Sequence, residues 1–292
     1  MNEITSGGIL YLAATPIGNL EDMTFRAVNI LASADLIAAE DTRHTRKLLS
    51  RYDIHTELTS YHEHNKLEKG PLLLSLLQQG KTIVVVSDAG LPGIADPGAH
   101  IAEMAIANGI TVSPLPGANA ALSALICSGL DTTMFTFVGF LPKTGKKRRE
   151  ILEKLVGREE TLLFYESPHH LRDTLAELEA VLGNRQAAAA RELTKKFEEF
   201  IRGSLSSLQE HFSQLLPRGE FVLVVAGEDA GALQAQKEQA LAPLREKPEE
   251  FVYQLMAEGC DKKAAIKEAA VKLGLGRRDV YQAVLRAEAG KQ

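Results

Sequence analysis

A charged segment with the sequence AEDTRHT begins at Ala39, directly after a short apolar run. Arg43 and His44 in this segment stand where a predicted strand ends and a helix begins, a position at which side chains of α/β proteins face a ligand crevice. The planar guanidinium of Arg43 suits a phosphate group. Asp41 has a structural alternative, because an aspartate at this point also caps a helix.

A second charged segment, ARELTKK, begins at Ala190 and follows another apolar run. It places Arg191, Glu192 and Lys195 at a strand end. A carboxylate near a crevice is a candidate general base, and a lysine there can stabilise an alkoxide or bind a phosphate. Both charged segments are therefore predicted to lie at the carboxyl ends of strands.

Three glycine- and proline-rich segments also follow apolar runs. They are TPIGNL from Thr15, SDAGLPGIADPG from Ser87 and PLPGAN from Pro114. Glycine lets the backbone approach a ligand closely and proline stiffens the loop, so we expect a ligand held largely by backbone groups. The sequence contains neither GxGxxG nor GxxxxGK[ST], which disfavours a dinucleotide or a triphosphate as that ligand.

The elements that must position these segments are short apolar runs alternating with helical patterns, which predict an α/β fold with a mostly parallel sheet. Strands are predicted at residues 9–12, 36–39, 83–86, 111–112, 135–138, 161–165, 186–190 and 221–226. Helices are predicted at residues 66–79, 170–182 and 205–215. The tail is predicted to form a small helical bundle from residues 249–258, 262–273 and 278–289.

The length of 292 residues predicts more than one domain. A basic stretch with proline and glycine begins at Leu141 and interrupts the pattern. We place the domain boundary there, between a first α/β domain at residues 1–140 and a second at residues 141–232. Residues 233–292 are predicted to be a linker followed by the helical tail.

The composition is that of an ordinary globular protein, with 45% hydrophobic and 24% charged residues. Two distant cysteines, Cys127 and Cys260, argue against a disulfide framework or a cysteine-based metal site. No apolar run approaches the roughly 18 residues that span a membrane, so we expect a cytoplasmic protein. The net charge of −5 is uneven, because residues 241–292 hold ten Lys and Arg against eight Asp and Glu.

Taken in order, these segments resemble the tetrapyrrole methylase family and, within it, the ribosomal branch that methylates the 2′-hydroxyl of a cytidine in 16S ribosomal RNA. The motifs that carry the resemblance are TPIGNL, AEDTRHT, SDAG with a later DPG, PLPG, FLP with a basic run, FYES and ARELTK. They lie in order between residues 9 and 227. The resemblance implies two α/β domains that clasp S-adenosylmethionine between them, and a small C-terminal helical domain.

The same resemblance implies roles for particular residues. Those assigned to the cofactor are Pro16, Ile17, Gly18, Asp88, Ala89, Gly90, Ile94, Asp96, Asn119, Ala120, Phe164 and Gly227. Those assigned to positioning and activating the substrate are Arg43, His44, Arg191, Glu192 and Lys195. The implied partner is 16S ribosomal RNA in the 30S subunit, the implied assembly is a homodimer, and neither a metal nor a membrane is expected.

Several segments keep two interpretations. The YHEHN segment at residues 61–65 has no further metal ligand at suitable spacing, so it either contacts RNA or is a solvated loop. Phe164 either stacks on adenine or packs in the core. The cations at residues 143–149 either bind substrate phosphates or form a solvated helix start. The same alternatives hold for four cations of the tail, Lys262, Lys263, Arg277 and Arg278.

Two other functions are compatible with the fold. One is methylation of a tetrapyrrole precursor, because a fold does not fix a substrate. The other is a ribosome-assembly factor that binds RNA without turnover. The basic stretch and tail favour RNA over a tetrapyrrole, and the three cofactor-like loops favour an enzyme over a binding protein.

Overall fold

The computed structural model describes residues 7–94, 98–229, 231 and 243–289. Asp96, one of the predicted cofactor residues, lies outside the described residues, as does most of the predicted linker. The described chain forms two compact units, residues 1–227 and residues 228–292. The first unit contains two five-stranded sheets, which confirms the predicted α/β fold class.

The first sheet consists of five parallel strands in the order β3, β2, β4, β1, β5. Its strands are β1 (Ile9–Ala13), β2 (Leu36–Ala39), β3 (Leu58–Ser60), β4 (Thr82–Val86) and β5 (Thr111–Leu115). The helices that follow these strands in the chain are α1 (Phe25–Ser33), α2 (Thr42–Arg51), α3 (Lys66–Gln78), α4 (Gly98–Ala107) and α5 (Ala120–Ser128). A parallel sheet of this kind brings the loops that follow its strands to one edge.

Strand β4 shows why the sequence reads as a continuous apolar run. Ile83 and Val85 belong to a core shared with α3 and α4, whereas Val84 and Val86 belong to a core shared with α1 and α2. Successive side chains of a strand point to opposite faces, so both faces of β4 are covered by helices. Apolar residues at every position are therefore required.

The second sheet is mixed and has the order β6, β7, β10, β8, β9. Its strands are β6 (Phe135–Phe140), β7 (Thr161–Glu166), β8 (Gln186–Arg191), β9 (Glu199–Ser204) and β10 (Phe221–Val225). Strand β6 runs parallel to β7, whereas β10 runs antiparallel to both β7 and β8. Helices α6 (Lys146–Leu155), α7 (Leu171–Leu182) and α8 (Leu205–Gln214) pack on one face.

Strand β6 belongs to the second sheet, whereas the sequence analysis placed residues 135–140 in the first domain. Phe135 pairs with Thr161, and Phe140 pairs with Tyr165. An apolar run of this kind is compatible with either sheet, so the pairing partner of β6 could not be predicted from its own sequence. The change from one sheet to the other therefore lies between β5 and β6, before residue 140.

Helix α5 packs on the face of the second sheet opposite α6, α7 and α8. Its Ala121, Ala124 and Leu125 share a core with Leu163 and with alanines of β8. Residues 187–190 are all alanine, and small side chains allow a helix to approach a sheet closely. This contact attaches one face of α5 to the second sheet and fixes the loop that precedes it.

The described part of the second unit includes the helices α9 (Pro248–Ala257), α10 (Lys262–Leu273) and α11 (Arg277–Ala289). Their shared core includes Val252, Ile266 and Val280. Asp261 caps α10, which ends at Gly274 in a left-handed conformation with φ of 65°. Across the described ranges, no helix is both long and apolar enough to span a membrane.

Candidate active site

A cleft of about 540 Å³ opens between the loops of the first sheet and one edge of the second sheet. That volume is typical of a small-molecule site. Nine residues predicted from the sequence line it, namely Ile17, Asp88, Ala89, Gly90, Ile94, Asn119, Ala120, Glu192 and Lys195. The structure thus brings the three glycine-rich loops and the ARELTK segment together at one place.

The loop after β1 is fixed to the loop after β4. Thr15 and Gly90 exchange two backbone hydrogen bonds, and Thr15 Oγ1 donates a third to the carbonyl oxygen of Ser87 at 3.1 Å. Gly90 has a φ of 79°, a conformation that favours glycine. A Cβ placed on Gly90 would lie 3.6 Å from Ile17 Cγ2. The two loops therefore present one fixed wall, largely of backbone atoms, to the cleft.

Asn119 begins helix α5 at the next part of this wall. Its Oδ1 accepts a hydrogen bond from the backbone amide of Leu122 at 2.9 Å, so the side chain caps the helix. The cap explains why an asparagine is suited to this position. It also leaves the backbone of Asn119 and Ala120 as part of the cleft lining.

Asp88 joins the loop after β4 to the AEDTRHT segment. Its Oδ1 accepts a hydrogen bond from the backbone amide of Asp41 at 3.0 Å. Asp41 in turn caps α2 by accepting from the amide of Arg43, and its carboxylate forms an ion pair with the Arg43 guanidinium at 2.8 Å. These hydrogen bonds from Arg43 hold the pKa of Asp41 well below its usual value. The capping alternative for Asp41 is therefore what the structure shows.

Arg43 and His44 lie outside the cleft lining. The Arg43 side chain is 85% exposed, and His44 is exposed on α2. Because Asp41 links Arg43 to Asp88, the guanidinium stands beside the rim of the cleft rather than inside it. This position suits contact with a large substrate outside the cleft.

Tyr165, rather than Phe164, is the aromatic residue of the FYES segment that lines the cleft. Phe164 is completely buried in the core that α6, α7 and α8 form with the second sheet. Adjacent residues of a strand point to opposite faces, so only one of the two can face the cleft. The core alternative for Phe164 is therefore correct, and the stacking role assigned to it is not supported. Burial raises the pKa of Tyr165.

Gly227 also lies away from the cleft, at the opposite end of β10. A Cβ placed on Gly227 would overlap the carbonyl group of Glu159, in the turn before β7. Because β10 is antiparallel to β7, its first residues Phe221 and Val222 line the cleft instead. The cofactor role of Gly227 was implied by the family resemblance alone, and the structure places this residue at the end of β10 that is remote from the cleft.

The basic run after Phe140 contains one buried residue. Arg148 is 6% exposed, and its guanidinium donates to Glu177, to the Pro142 carbonyl oxygen and to Thr174 Oγ1, the last at 2.9 Å. Arg148 is therefore a structural residue and no part of a phosphate-binding patch. The remaining cations of the run, Lys143, Lys146, Lys147 and Arg149, are exposed.

Thr174 extends this network to the cleft. Its hydroxyl donates to Glu166 Oε2 at 2.6 Å, and Glu166 Oε1 accepts from the backbone amide of Ser167 at 2.7 Å. Glu166 is 7% exposed and lines the cleft. A buried carboxyl group needs hydrogen-bond partners, and here both of its oxygens have one.

Glu192 and Lys195 form a charged cluster with Glu220 on the second-domain wall of the cleft. Lys195 Nζ lies 2.8 Å from Glu192 Oε1 and 2.8 Å from Glu220 Oε2. The amide of Glu220 also donates to Glu192 Oε1 at 3.0 Å. Glu192 and Thr194 have φ values of 50° and 66°, which are unusual for residues with side chains and mark a strained loop.

The pKa values of this pair shift in opposite directions. Burial alone would raise the pKa of Glu192, but hydrogen bonds from Lys195 and from the Glu220 amide outweigh it and lower the pKa. Burial alone would lower the pKa of Lys195, but hydrogen bonds to Glu192 and Glu220 outweigh it and raise the pKa. At neutral pH the cleft therefore presents an ammonium group held between carboxylates.

The other predicted residues lie nearby but outside the lining. Arg191 donates to the Arg218 carbonyl oxygen at 2.7 Å and pairs with Glu199. Pro16 is half-buried between Thr15 and Ile17. Gly18 packs against the strained loop, since a Cβ placed on it would overlap Lys195 and lie 2.8 Å from Thr194 Oγ1.

The YHEHN segment has a structural role at its first residue. Tyr61 is buried and its hydroxyl lies 2.9 Å from His100 Nδ1 on α4. Burial raises the pKa of Tyr61 to about 12. Within the residues that the structure describes, no three His, Cys, Asp or Glu side chains are grouped to hold a metal ion.

Glu40 and Glu166 line the cleft, as their positions at the ends of predicted strands in the AEDTRHT and FYES segments indicate. Several other lining residues were not selected from the sequence, and they include Phe140, Tyr165, Glu220 and Phe221. For Tyr165 the available signal was its place in the FYES segment. For Glu220 and Phe221 the missing information was the antiparallel direction of β10.

Comparison with known proteins identifies the family. The family model for tetrapyrrole (corrin/porphyrin) methylases matches residues 9–209, more than half of the chain. The chain belongs to the tetrapyrrole methylase family. Solved structures agree on the fold: a uroporphyrin-III C-methyltransferase from Thermus thermophilus aligns over 75% of this chain and 94% of its own, with a TM-score of 0.54 and 21% identity. A diphthine synthase aligns over 75% and 89%, with a TM-score of 0.56 and 14% identity.

Curated relatives within this family are much more similar in sequence. Ribosomal RNA small subunit methyltransferase I of Halalkalibacterium halodurans is 50% identical over 94% of this chain and 93% of its own. The protein with the same name in Bacillus subtilis is 50% identical over 94% of each chain, and that of Synechocystis is 46% identical over 97% and 99%. The family resemblance and the ribosomal branch predicted from the sequence are confirmed.

The chain is therefore a methyltransferase whose methyl donor is S-adenosylmethionine. The described cleft fits this donor, because its lining includes the acidic residues Asp88, Glu192 and Glu220. Their negative charge is complementary to the positive charge of a sulfonium compound. The backbone-rich wall from Ile17 to Ala120 suits a ligand recognised by its nucleoside and amino acid groups. When bound, the donor supplies an electrophilic methyl group.

Proposed function

We propose that this chain methylates the 2′-oxygen of a cytidine ribose in 16S ribosomal RNA. The observation that carries the proposal is 50% sequence identity, over 94% of this chain, to proteins named ribosomal RNA small subunit methyltransferase I. The cleft supports it with a charged cluster opposite the cofactor loops. The 30S subunit in the cytoplasm is the setting that a 16S RNA substrate requires.

Lys195 is the group that stabilises the reacting oxygen. A ribose hydroxyl becomes a strong nucleophile only as its proton leaves, and an ammonium group stabilises the alkoxide that develops. The raised pKa of Lys195 keeps this charge in place at neutral pH. Alignment of the oxygen, the methyl carbon and the sulfur along one line is the other requirement of the reaction.

Glu192 holds Lys195 and accepts the proton of the hydroxyl. Its lowered pKa makes it a weak base, because a general base is most effective when its pKa lies near the working pH. Proton transfer is then late in the reaction, and the positive charge of Lys195 provides most of the effect. Arg43, at the rim, contacts RNA phosphates. Arg191, behind the cluster, maintains the shape of the loop.

A homodimer is part of this proposal. Leu122 and Ile126 on α5 are 45% and 73% exposed, and exposed apolar side chains of this size suit an interface. Light scattering coupled to size-exclusion chromatography is expected to give twice the chain mass of 31.7 kDa. A mass of 31.7 kDa at micromolar concentration would reject the dimer and leave the substrate assignment unaffected.

The experiment that tests the substrate supplies tritiated S-adenosylmethionine with three acceptors in parallel. They are 30S subunits from a strain that lacks this activity, protein-free 16S RNA, and uroporphyrinogen III. Tritium in the 30S sample supports the proposal. Tritium only in the tetrapyrrole sample would replace it with small-molecule methylation, which the fold similarity to uroporphyrin-III C-methyltransferase makes the appropriate competitor. The proposal would also be contradicted if the protein bound S-adenosylmethionine but transferred tritium to none of the three acceptors.

A further inference from the structure

Phe140 is a large aromatic side chain left open at the mouth of the cleft. It is 62% exposed, lines the cleft and ends strand β6 at the edge of the second sheet. The reaction chemistry described above has no use for it. An exposed phenyl ring beside a binding cleft offers a flat apolar surface to a ligand.

The ring is held in a rigid aromatic group. Its centroid lies 5.4 Å from that of Tyr165 with a 59° tilt, and Tyr165 packs edge-on against Phe137 at 5.0 Å. A register shift between Phe137 and Gly139, where φ is 73°, lets two side chains of β6 reach the same tyrosine. A ring supported in this way loses little conformational freedom when a ligand stacks on it.

The charges that follow Phe140 in the chain differ from those elsewhere on the second-domain wall. The residues after it include the exposed cations Lys143, Lys146, Lys147 and Arg149. Glu192 and Glu220, which suit the cationic methyl donor, lie on the far side of β7 along the same wall. An aromatic surface bordered by cations is the combination by which proteins bind single-stranded nucleic acid, through stacked bases and neutralised phosphates.

We propose that Phe140 is the surface on which an unpaired base of the RNA substrate stacks, with the adjoining cations contacting its phosphates. The inference rests on the proposed RNA substrate and adds where the nucleotide is held. Stacking on Phe140 places the base on the second-domain side of the cleft mouth. The ribose then lies between this surface and the cofactor loops.

Kinetics of Phe140→Ala test the inference directly. Loss of a base-stacking aromatic corresponds to roughly a 5- to 150-fold weaker interaction, so the KM for unmethylated 30S subunits should rise by that factor. The dissociation constant of S-adenosylmethionine should not change. Phe135→Ala is the matched control, because Phe135 is a 42% exposed phenylalanine at the far end of the same strand. A KM equal to that of wild type in Phe140→Ala would overturn the inference.

A spectroscopic test distinguishes the base from the adenine of the donor. The chain has no tryptophan, so Phe140→Trp places a single, selectively excitable tryptophan at the proposed surface. Protein-free unmethylated 16S RNA should quench its fluorescence, whereas S-adenosylmethionine alone should not, and Phe135→Trp should respond to neither. Quenching by the donor alone would assign Phe140 to the cofactor and reject the inference.

The proposed function and the role of Phe140 can be contradicted separately. If wild-type protein transfers no methyl group to 30S subunits or RNA, the proposed function is wrong and the inference falls with it. If wild type is active on RNA while Phe140→Ala keeps its KM, only the inference is wrong. Because Phe140 is exposed, truncation is expected to leave the unfolding temperature close to that of Phe135→Ala.

Discussion

Lys195 Nζ lies 2.8 Å from Glu192 Oε1, and this pair stands on the cleft wall that faces the cofactor loops. The contact combines a lysine of raised pKa with a glutamate of lowered pKa. It defines the electrostatics at the point where we place the reacting hydroxyl.

Lys195→Ala should lower kcat by about 100- to 1,000-fold, the usual effect of removing one group that stabilises a developing oxyanion. The dissociation constant of S-adenosylmethionine should stay within a factor of a few. Steady-state and single-turnover methyl transfer to 30S subunits measure the change. Lys196→Ala is the control, since Lys196 is the exposed neighbour. Equal kcat values for the Lys195 and Lys196 variants would remove Lys195 from the chemistry.

Glu192 should make the stability of the protein depend on acid. A carboxyl group with a lowered pKa in the folded state stabilises the fold above its unfolded pKa, and this contribution is lost as the pH falls through the folded value. The difference in unfolding temperature between wild type and Glu192→Gln should therefore be largest at neutral pH and shrink below about pH 4, near the unfolded value. A difference that is constant from pH 7 to pH 3 would contradict the lowered pKa.

Arg148→Met should destabilise the protein by about 1–3 kcal/mol, because it removes the buried guanidinium that donates hydrogen bonds to Thr174 Oγ1 and to the Pro142 carbonyl oxygen. Arg149→Ala should change stability by less than about 0.5 kcal/mol, as expected for an exposed residue. Denaturant unfolding measures both. The effects on KM should be the reverse: Arg149→Ala should raise the KM for 30S subunits, most strongly at low salt, whereas Arg148→Met should leave it nearly unchanged. Equal stability losses in the two variants would show that Arg148 is not structural.

Gly18→Ala should reduce kcat by about 10- to 100-fold, because its Cβ would overlap Lys195 and displace the ammonium group. The cofactor loops themselves are fixed by Thr15 and Gly90, so donor binding should change little. Comparison of kcat with the donor dissociation constant separates these effects. A variant with normal kcat would mean that the Lys195 loop tolerates displacement.

Much of the fold could be predicted from the sequence, because long apolar runs and helical periodicity are local signals. Eight of the ten observed strands coincide with predicted ones to within a few residues, and the three helices of the tail do as well. The strands that were missed are β3 and β9. Residues 58–60 make a three-residue strand, and residues 199–204 contain no buried side chain, so neither strand carries a buried apolar run.

The site was predictable where it depended on loops after parallel strands. Ile17, Asp88 and Asn119 all lie in the cleft, because parallel strands end at one edge. Whether Phe164 or Tyr165 faces the cleft depends on the face of β7, and which end of β10 lies at the cleft depends on the direction of that strand. Strand direction and facing depend on pairing partners distant in the sequence, and no local pattern contains them.

The most direct test of the proposed activity is the position of the methyl group. Unmethylated 30S subunits are incubated with the protein and S-adenosylmethionine, and the 16S RNA is digested to nucleosides and analysed by mass spectrometry. The account predicts 2′-O-methylcytidine, formed at one site and absent with Lys195→Ala. A methyl group found on a base, or no modified nucleoside from an enzyme that consumes its donor, would contradict it.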